Sequence, residues 1–158
     1  VINSEILNAL RVIVNHLEDE SIRWIIMGSA SLALQGVDIT PNDIDILTDK
    51  YGAAKIGVSL KEFEIKPVIF SRTDLFESFY GIYDIEGAKV DVMGDFRVRL
   101  ESTWVSLSNR LESPSIVQID AMNIPVSSLH DQLLFYEKLG RKKDNDCILK
   151  IKRVLRIS

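Results

Sequence analysis

Apolar residues at Ile6, Leu10, Ile13 and Leu17, with Leu7 and Val14 beside them, recur at helical spacing and predict an amphipathic helix over residues 4–18. Glu18-Asp19-Glu20 reads as its solvated acidic exit. Trp24-Ile25-Ile26-Met27 is a short continuous apolar run, the pattern of a strand buried on both faces. Gly28-Ser29 ends that run and turns the chain into a short helix over residues 29–34, followed by a loop punctuated by Gly36 and Pro41. The next strand, through Ile44 to Thr48, opens with Asp43 and Asp45. Residues 52–60 read as helical, although Gly57 weakens the pattern. Residues 61–70 alternate in part and contain Pro67, which suits an edge strand.

Residues 78–95 give the clearest hairpin, with apolar runs on both sides of Glu86-Gly87-Ala88. On its return strand Val90 and Val92 alternate with Lys89, Asp91 and Met93. Asp91 therefore stands mid-strand among apolar neighbours, an expensive place for an unpaired carboxylate. Phe96, Val98 and Leu100 alternate with Arg97, Arg99 and Glu101 as a further strand with a basic face. Ile116–Ile119 and Ile124–Val126, joined through Asp120-Ala121-Met122-Asn123, suggest a second hairpin. Ser128 and Asp131 form a capping box that opens a helix ending at Gly140. Arg141-Lys142-Lys143-Asp144 joins it to a last helix with Ile148, Ile151 and Leu155 on one side and a solvated face of Lys150, Lys152, Arg153 and Arg156. The pattern predicts an α/β (α+β) fold: a mixed sheet, antiparallel toward its edges, flanked by helices. The chain reads as a single domain, 1–158, with the C-terminal helices of 128–158 packed on it.

Composition adds boundaries. A chain of 158 residues, 46% hydrophobic and 27% charged, suits one globular unit with a real core. A net charge of −4 speaks against a generic polyanion binder, and the absence of a contiguous basic stripe against a nucleic-acid module. The lone Cys147 allows no internal disulfide, which suits a reducing, cytoplasmic setting. The opening residues lack the basic head and apolar run of a signal peptide, and the near-apolar stretch from Trp24 to Leu34 is too short to span a bilayer.

The candidate chemistry lies in the aspartates. Successive strand residues face opposite ways, so Asp43 and Asp45 share one face while Ile44 and Ile46 turn to the core. Two carboxylates one strand repeat apart, roughly 6.5–7 Å at the backbone, call for a cation when partly buried, and hard divalent ions prefer carboxylate oxygens. At the Gly28-Ser29 turn small residues admit close approach of a ligand, and the start of a helix offers free N–H groups to a phosphate. His16 and His130 lack metal-ligand spacing and read as structural or surface residues. Cys147 reads as a small hydrophobe, and Trp104, Tyr80 and Tyr83 as core packing rather than base-stacking platforms.

Taken in order, Gly28-Ser29 after a buried strand, Asp43-Ile44-Asp45 on the next, and Asp91 downstream resemble the nucleotidyltransferase superfamily typified by DNA polymerase beta and the antibiotic nucleotidyltransferases. The phrase PNDIDILTD is similar to the small bacterial and archaeal members, and LLFYEKLGRKKDND to the C-terminal Arg-x-Lys-Asp signature of several branches, lincosamide-type transferases and toxin-like members included. The resemblance implies transfer of a nucleoside monophosphate from a nucleoside triphosphate to a hydroxyl acceptor, with release of pyrophosphate. It implies two Mg2+ or Mn2+ ions held by Asp43, Asp45 and Asp91, with Asp91 also a candidate acceptor of the attacking hydroxyl's proton. The nucleotide phosphates would meet Gly28, Ser29 and a cation. Relatives carry Arg-x-Thr ahead of the Asp-x-Asp, where this chain has Ile39-Thr40-Pro41-Asn42, so Arg141 or Lys143 is left to supply that cation. Cys147 stands where the C-terminal signature has a second aspartate, with Asp146 one place early. The acceptor, whether a small molecule, a protein or an RNA end, and the oligomeric state are not encoded in these motifs. The competing reading is a non-catalytic or toxin–antitoxin-type regulator on the same scaffold, which an open cleft or widely separated carboxylates would favour.

Overall fold

A computed structural model describes residues 2–18 and 20–158; of the acidic exit, Glu18 and Glu20 are described and Asp19 lies outside. The first amphipathic stretch closes into α1 (Ser4–Leu17), whose first turn is capped by Asn3 Oδ1 accepting from the Ile6 N–H at 2.9 Å. Strand β1 (Trp24–Met27) runs into α2 (Gly28–Leu34), and β2 (Asp43–Thr48) into α3 (Lys50–Ser59). Asp49, just past β2, caps α3 by accepting from the Gly52 N–H at 2.6 Å. Then follow β3 (Glu64–Arg72), β4 (Phe76–Ile85), β5 (Ala88–Leu100), β6 (Thr103–Ser106), β7 (Ser115–Ile119) and β8 (Met122–Val126). The chain ends with α4 (Leu129–Leu139) and α5 (Asn145–Leu155). Ser128 Oγ caps α4 through the Asp131 N–H at 3.1 Å, as the capping pattern predicted.

The strands form one mixed sheet in the order β3-β4-β5-β2-β1-β8-β7, with β6 paired to the far end of β5. The β2–β5 and β1–β8 pairings are parallel and the rest antiparallel, which is the expected mixed sheet with antiparallel edges. Strand β3 lies at an edge as Pro67 suggested, and its register shifts between Lys66 and Ile69.

Two expectations are corrected. The basic-faced segment after Met93 is not a separate strand: β5 continues through it, bent at Asp95, whose φ of 51° accompanies a register shift opposite Glu77–Phe79. The second hairpin turns on two residues, Asp120-Ala121, not four, both at positive φ (47° and 66°).

Alternation divides the core between the two faces of the sheet. Ile26, Ile44, Ile46, Val90 and Val92 face α1 and α3, where Leu10, Ile13, Ala53 and Ile56 are buried. Ile25, Met27 and Leu47 face the other way, against Phe96, Val98 and Phe135 of α4. A third cluster joins Leu32 of α2 and Val37 to Leu129, Leu133 and Ile151, so α4 and α5 dock on α2 and the loop after it. No helix among the described residues is long and apolar enough to cross a membrane.

Candidate active site

The parallel pairing of β2 with β5 sets Asp43 beside Lys89 and Asp45 beside Asp91. Because Ile44, Ile46, Val90 and Val92 are committed to the α1–α3 side, all four polar side chains emerge on the opposite face. One ligand oxygen from each of Asp43, Asp45 and Asp91 lies within 4.8 Å of the others. Asp91 is 6% exposed, and the other two are partly exposed. Lys89 Nζ stands 3.5 Å from Asp91 Oδ1, and the Tyr80 hydroxyl donates to the same oxygen at 2.5 Å.

Burial and like charge act together here. Burial first, then Asp43 and Asp91, push the Asp45 carboxyl up to about 8, and Lys89 offsets part of the rise. Asp43 is raised by burial and by Asp91, again against Lys89. Burial, and the hydrogen bond that its protonated form gives Asp91, raise the Tyr80 phenol. Three converging carboxylates with one exposed lysine as counter-charge form a hard-oxygen donor set, which fits Mg2+ or Mn2+.

Gly28 shows why the turn after β1 is built from small residues. Its φ is +73°, and a Cβ there would lie 2.5 Å from Asp45 Oδ2. Met27 pairs with Asp45 across β1 and β2, so the turn packs directly against the carboxylate. The Gly28 N–H donates to Gln132 Oε1 at 2.8 Å, and Gln132 Nε2 donates to Ser31 Oγ at 2.7 Å and to the Ser127 carbonyl at 3.1 Å. This buried glutamine on α4 thus fastens the turn, and the Gly28 N–H expected to face a phosphate is engaged within the protein. Ser29, at the first turn of α2, is partly exposed.

A cavity of about 410 Å3 opens beside these groups, lined by Gly28, Asp45, Tyr80, Met93, Phe96, Phe135, Tyr136 and Arg141 among others. Arg141 is held by Asp144, with Nε–Oδ2 2.7 Å and Nη2–Oδ1 3.2 Å, and lies over the Phe76 ring. Of the two cations weighed for the phosphates, Arg141 reaches this cavity. Lys143 is exposed and outside its lining. Glu77, 2% exposed in the cavity wall, is flanked by Arg72 and Arg97 at 2.5 and 2.9 Å.

Other sequence expectations fall into place. His16 contacts the Val12 carbonyl and Glu62, and His130 is exposed; neither joins the carboxylates. Burial raises the Cys147 thiol, as a packing residue would have it. Tyr83 is fully buried, but Tyr80, read as core packing, is part of the site. Tyr80 and Gln132 were both missed. Tyr80 left one signal: a two-residue turn at Glu86-Gly87 places position 80 diagonally across from position 91. Gln132 left none, since Gly28 and Ser31, the partners that tie it to the site, lie about a hundred residues upstream.

Residues 9–153 match the family model of aminoglycoside-2''-adenylyltransferase. The chain belongs to that family. Within it the chain is a nucleotidyltransferase, the class its motifs resemble. A candidate nucleotidyltransferase of Thermotoga maritima is 40% identical, with 95% of this chain and 94% of that one aligned and a TM-score of 0.84. The lincosamide antibiotic adenylyltransferase LnuA, solved with lincomycin bound, shares the fold at 18% identity (92% and 96% covered, TM-score 0.61). ANT(2'')-Ia, solved with adenylyl-2''-tobramycin, does so at 12% identity (92% and 87% covered, TM-score 0.56). No curated protein matches the sequence. The carboxylates converge and a cavity is formed beside them, so the open cleft and widely separated carboxylates that would favour a non-catalytic regulator are not what the described residues show.

Proposed function

We propose that this adenylyltransferase-family protein is a divalent-metal-dependent enzyme that transfers a nucleoside monophosphate, AMP by the family's name, from its triphosphate to a hydroxyl of a small-molecule acceptor, releasing pyrophosphate. The observation that carries this reading is the convergence of Asp43, Asp45 and Asp91 within 4.8 Å beside a cavity. Asp43, Asp45 and Asp91 would hold Mg2+ or Mn2+, two ions in the expected full set. Bound there, the metal neutralises phosphate charge and stabilises the attacking and leaving oxygens.

The chain's own groups do the rest. Gly28 keeps the turn close enough for Asp45 to stay aimed at its partners. Ser29 offers a hydroxyl and a first-turn N–H on the nucleotide side. Arg141, fixed by Asp144 at the cavity, supplies positive charge for the phosphates in place of Lys143. Phe96, Phe135 and Tyr136 shield the pocket from water, which strengthens each charge–charge contact inside it. Asp91 would also take the proton of the attacking hydroxyl. We read residues 1–158 as one domain acting in the cytoplasm.

Calorimetric titration of the protein with ATP, GTP, CTP and UTP, each with Mg2+ or Mn2+, tests the reading. Saturable, metal-dependent binding of ATP in the wild type, lost in Asp43→Ala with the far-UV spectrum intact, is the expected result. Indifference to all four nucleotides and to both metals would remove the proposal.

A further inference from the structure

Strand β4 runs antiparallel to β5, with Ile82 opposite Asp91 and Tyr80 opposite Met93. Opposed residues share a face, and so do residues two apart, so Tyr80 and Asp91 are diagonal neighbours on the face that carries the carboxylates. The phenol reaches Asp91 Oδ1 at 2.5 Å, and Lys89 Nζ approaches the same oxygen at 3.5 Å. A carboxylate oxygen has two lone-pair directions. The phenol takes one of them on Oδ1 and the Lys89 ammonium stands near the same oxygen as a looser ion pair, which leaves Oδ2 the less encumbered oxygen of Asp91. We propose that Tyr80 is a positioning residue for Asp91, fixing which carboxylate oxygen is presented to the divalent ion. This inference rests on the metal-dependent reading above.

The need for such a residue follows from the geometry. Asp45 is the direct neighbour of Asp91 across the parallel pair, and the two carboxylates repel once both are ionised, as metal binding requires. The terminal torsion of an aspartate is broad, so an unheld Asp91 can rotate to relieve that repulsion. Lys89 is more than half exposed and holds Asp91 from the solvent side only loosely. Tyr80 holds it from the cavity wall with a short hydrogen bond from a ring seated in the sheet. It orients the carboxylate before the ion arrives and adds no charge of its own.

The test compares the whole protein with Tyr80→Phe, which keeps the ring and removes only the hydroxyl. Tyr83→Phe is the matched control, because that hydroxyl lies on the same strand, is buried, and has no hydrogen-bond partner among the described residues. Free Mn2+ is followed by electron paramagnetic resonance during titration, and melting is recorded in EDTA. Tyr80→Phe should weaken Mn2+ binding roughly tenfold, the usual effect of removing a group that holds a metal ligand. Its metal-free melting temperature should stay close to wild type, and in a turnover assay the metal requirement should rise. Tyr83→Phe should bind Mn2+ like the wild type. Binding by Tyr80→Phe within twofold of wild type would overturn the inference and leave Tyr80 as packing. Equal weakening in Tyr83→Phe would overturn it too, since a general loosening of β4 would then explain both. A wild type that binds no Mn2+ would instead sink the metal-dependent reading itself, and with it this inference.

Discussion

Asp45→Asn should make the metal-free protein more stable at alkaline pH while removing its ability to hold a divalent ion. The ligand oxygens of the three aspartates lie within 4.8 Å of one another. Two full charges at that distance repel by about 3.5 kcal/mol at an effective dielectric near 20. Asp45 meets two such charges and Lys89 offsets part of the sum, so relieving Asp45 of its neighbours is worth at least about 2–3 kcal/mol. The pH at which the cost appears follows from the direction of the shift. Burial, Asp43 and Asp91 raise Asp45 from an ordinary 3.8 to about 8. Below pH 4 the folded and unfolded chains both carry the proton, and the residue contributes nothing to the balance. As the pH rises toward 8, the unfolded chain ionises freely and the folded chain does not, so folding loses stability across that window. Above it the whole cost is present.

Asparagine has no such titration. In EDTA the two proteins should therefore melt together near pH 4 and separate progressively, the variant standing about 4–12 °C higher near pH 8.5, given 2–4 °C per kcal/mol for a chain of this size. Mn2+ at a thousand times its dissociation constant, worth about 4.1 kcal/mol, should reverse the order, whereas a hundredfold excess should only bring the two level. At a hundred times its dissociation constant a bound ion adds about 2.7 kcal/mol to the wild type, and the variant should gain little. Calorimetric or dye-based melting over that pH range is sufficient. If Asp45→Asn melts below the wild type in EDTA at pH 8.5, the carboxylates are not in mutual repulsion and the electrostatic reasoning is wrong.

Gly28→Ala meets two obstacles, a φ of +73° and a Cβ placed 2.5 Å from Asp45 Oδ2. It should cost about 1–2 kcal/mol in urea unfolding for the backbone alone and should weaken Mn2+ binding by an order of magnitude; unchanged Mn2+ binding would show that the turn does not aim Asp45. Gln132→Leu deletes three buried hydrogen bonds and leaves the Gly28 N–H without its acceptor. A loss of about 2–4 kcal/mol is expected, and a loss below about 1 kcal/mol in urea would argue against a clamp between α4 and the turn. Lys89→Met removes the cation that stands 3.5 Å from Asp91 Oδ1 and should tighten Mn2+ binding at low ionic strength, an effect that fades with added salt. Weaker binding would mean that Lys89 orients Asp91 instead of competing with the ion.

Where one short stretch of sequence carries all its own determinants, it was readable. Ile44 and Ile46 had to be buried, so Asp43 and Asp45 had to face together, and Gly28 announced a turn of unusual backbone. Ser128 and Gly140 bounded α4 because capping is local. What escaped depends on partners far along the chain or on turns without the usual residues. Strand β6 went unseen and the β7–β8 turn was read too long because Glu101-Ser102 and Asp120-Ala121 take positive φ without glycine or asparagine, the signals on which such turns are recognised. The role of Gln132 rests on a contact with Gly28 that no periodicity encodes. Tyr80 was misread because an aromatic in a hairpin is ordinarily core, and only the register shows that its hydroxyl meets a carboxylate.

The register also explains why this site holds together despite its charge. Parallel pairing of β2 and β5 is a non-local contact, bridged by α3, β3 and β4, and nothing adjacent in sequence dictates it. Two local constraints leave β5 little choice. The turn at Glu86-Gly87, both at positive φ, aligns Ile85 with Ala88 and so sets every pair from there to Tyr80 and Met93. The burial of Val90 and Val92 then decides which face of β5 turns to α1 and α3. A slip of one residue would expose both valines and carry Asp91 into the apolar core, away from Asp45 and Tyr80. The hydrophobic pairs on one side of the sheet are therefore what compel three mutually repelling carboxylates to meet on the other. The metal-free repulsion is tolerable because α1 and α3 bury enough apolar surface behind it to hold the strands in place.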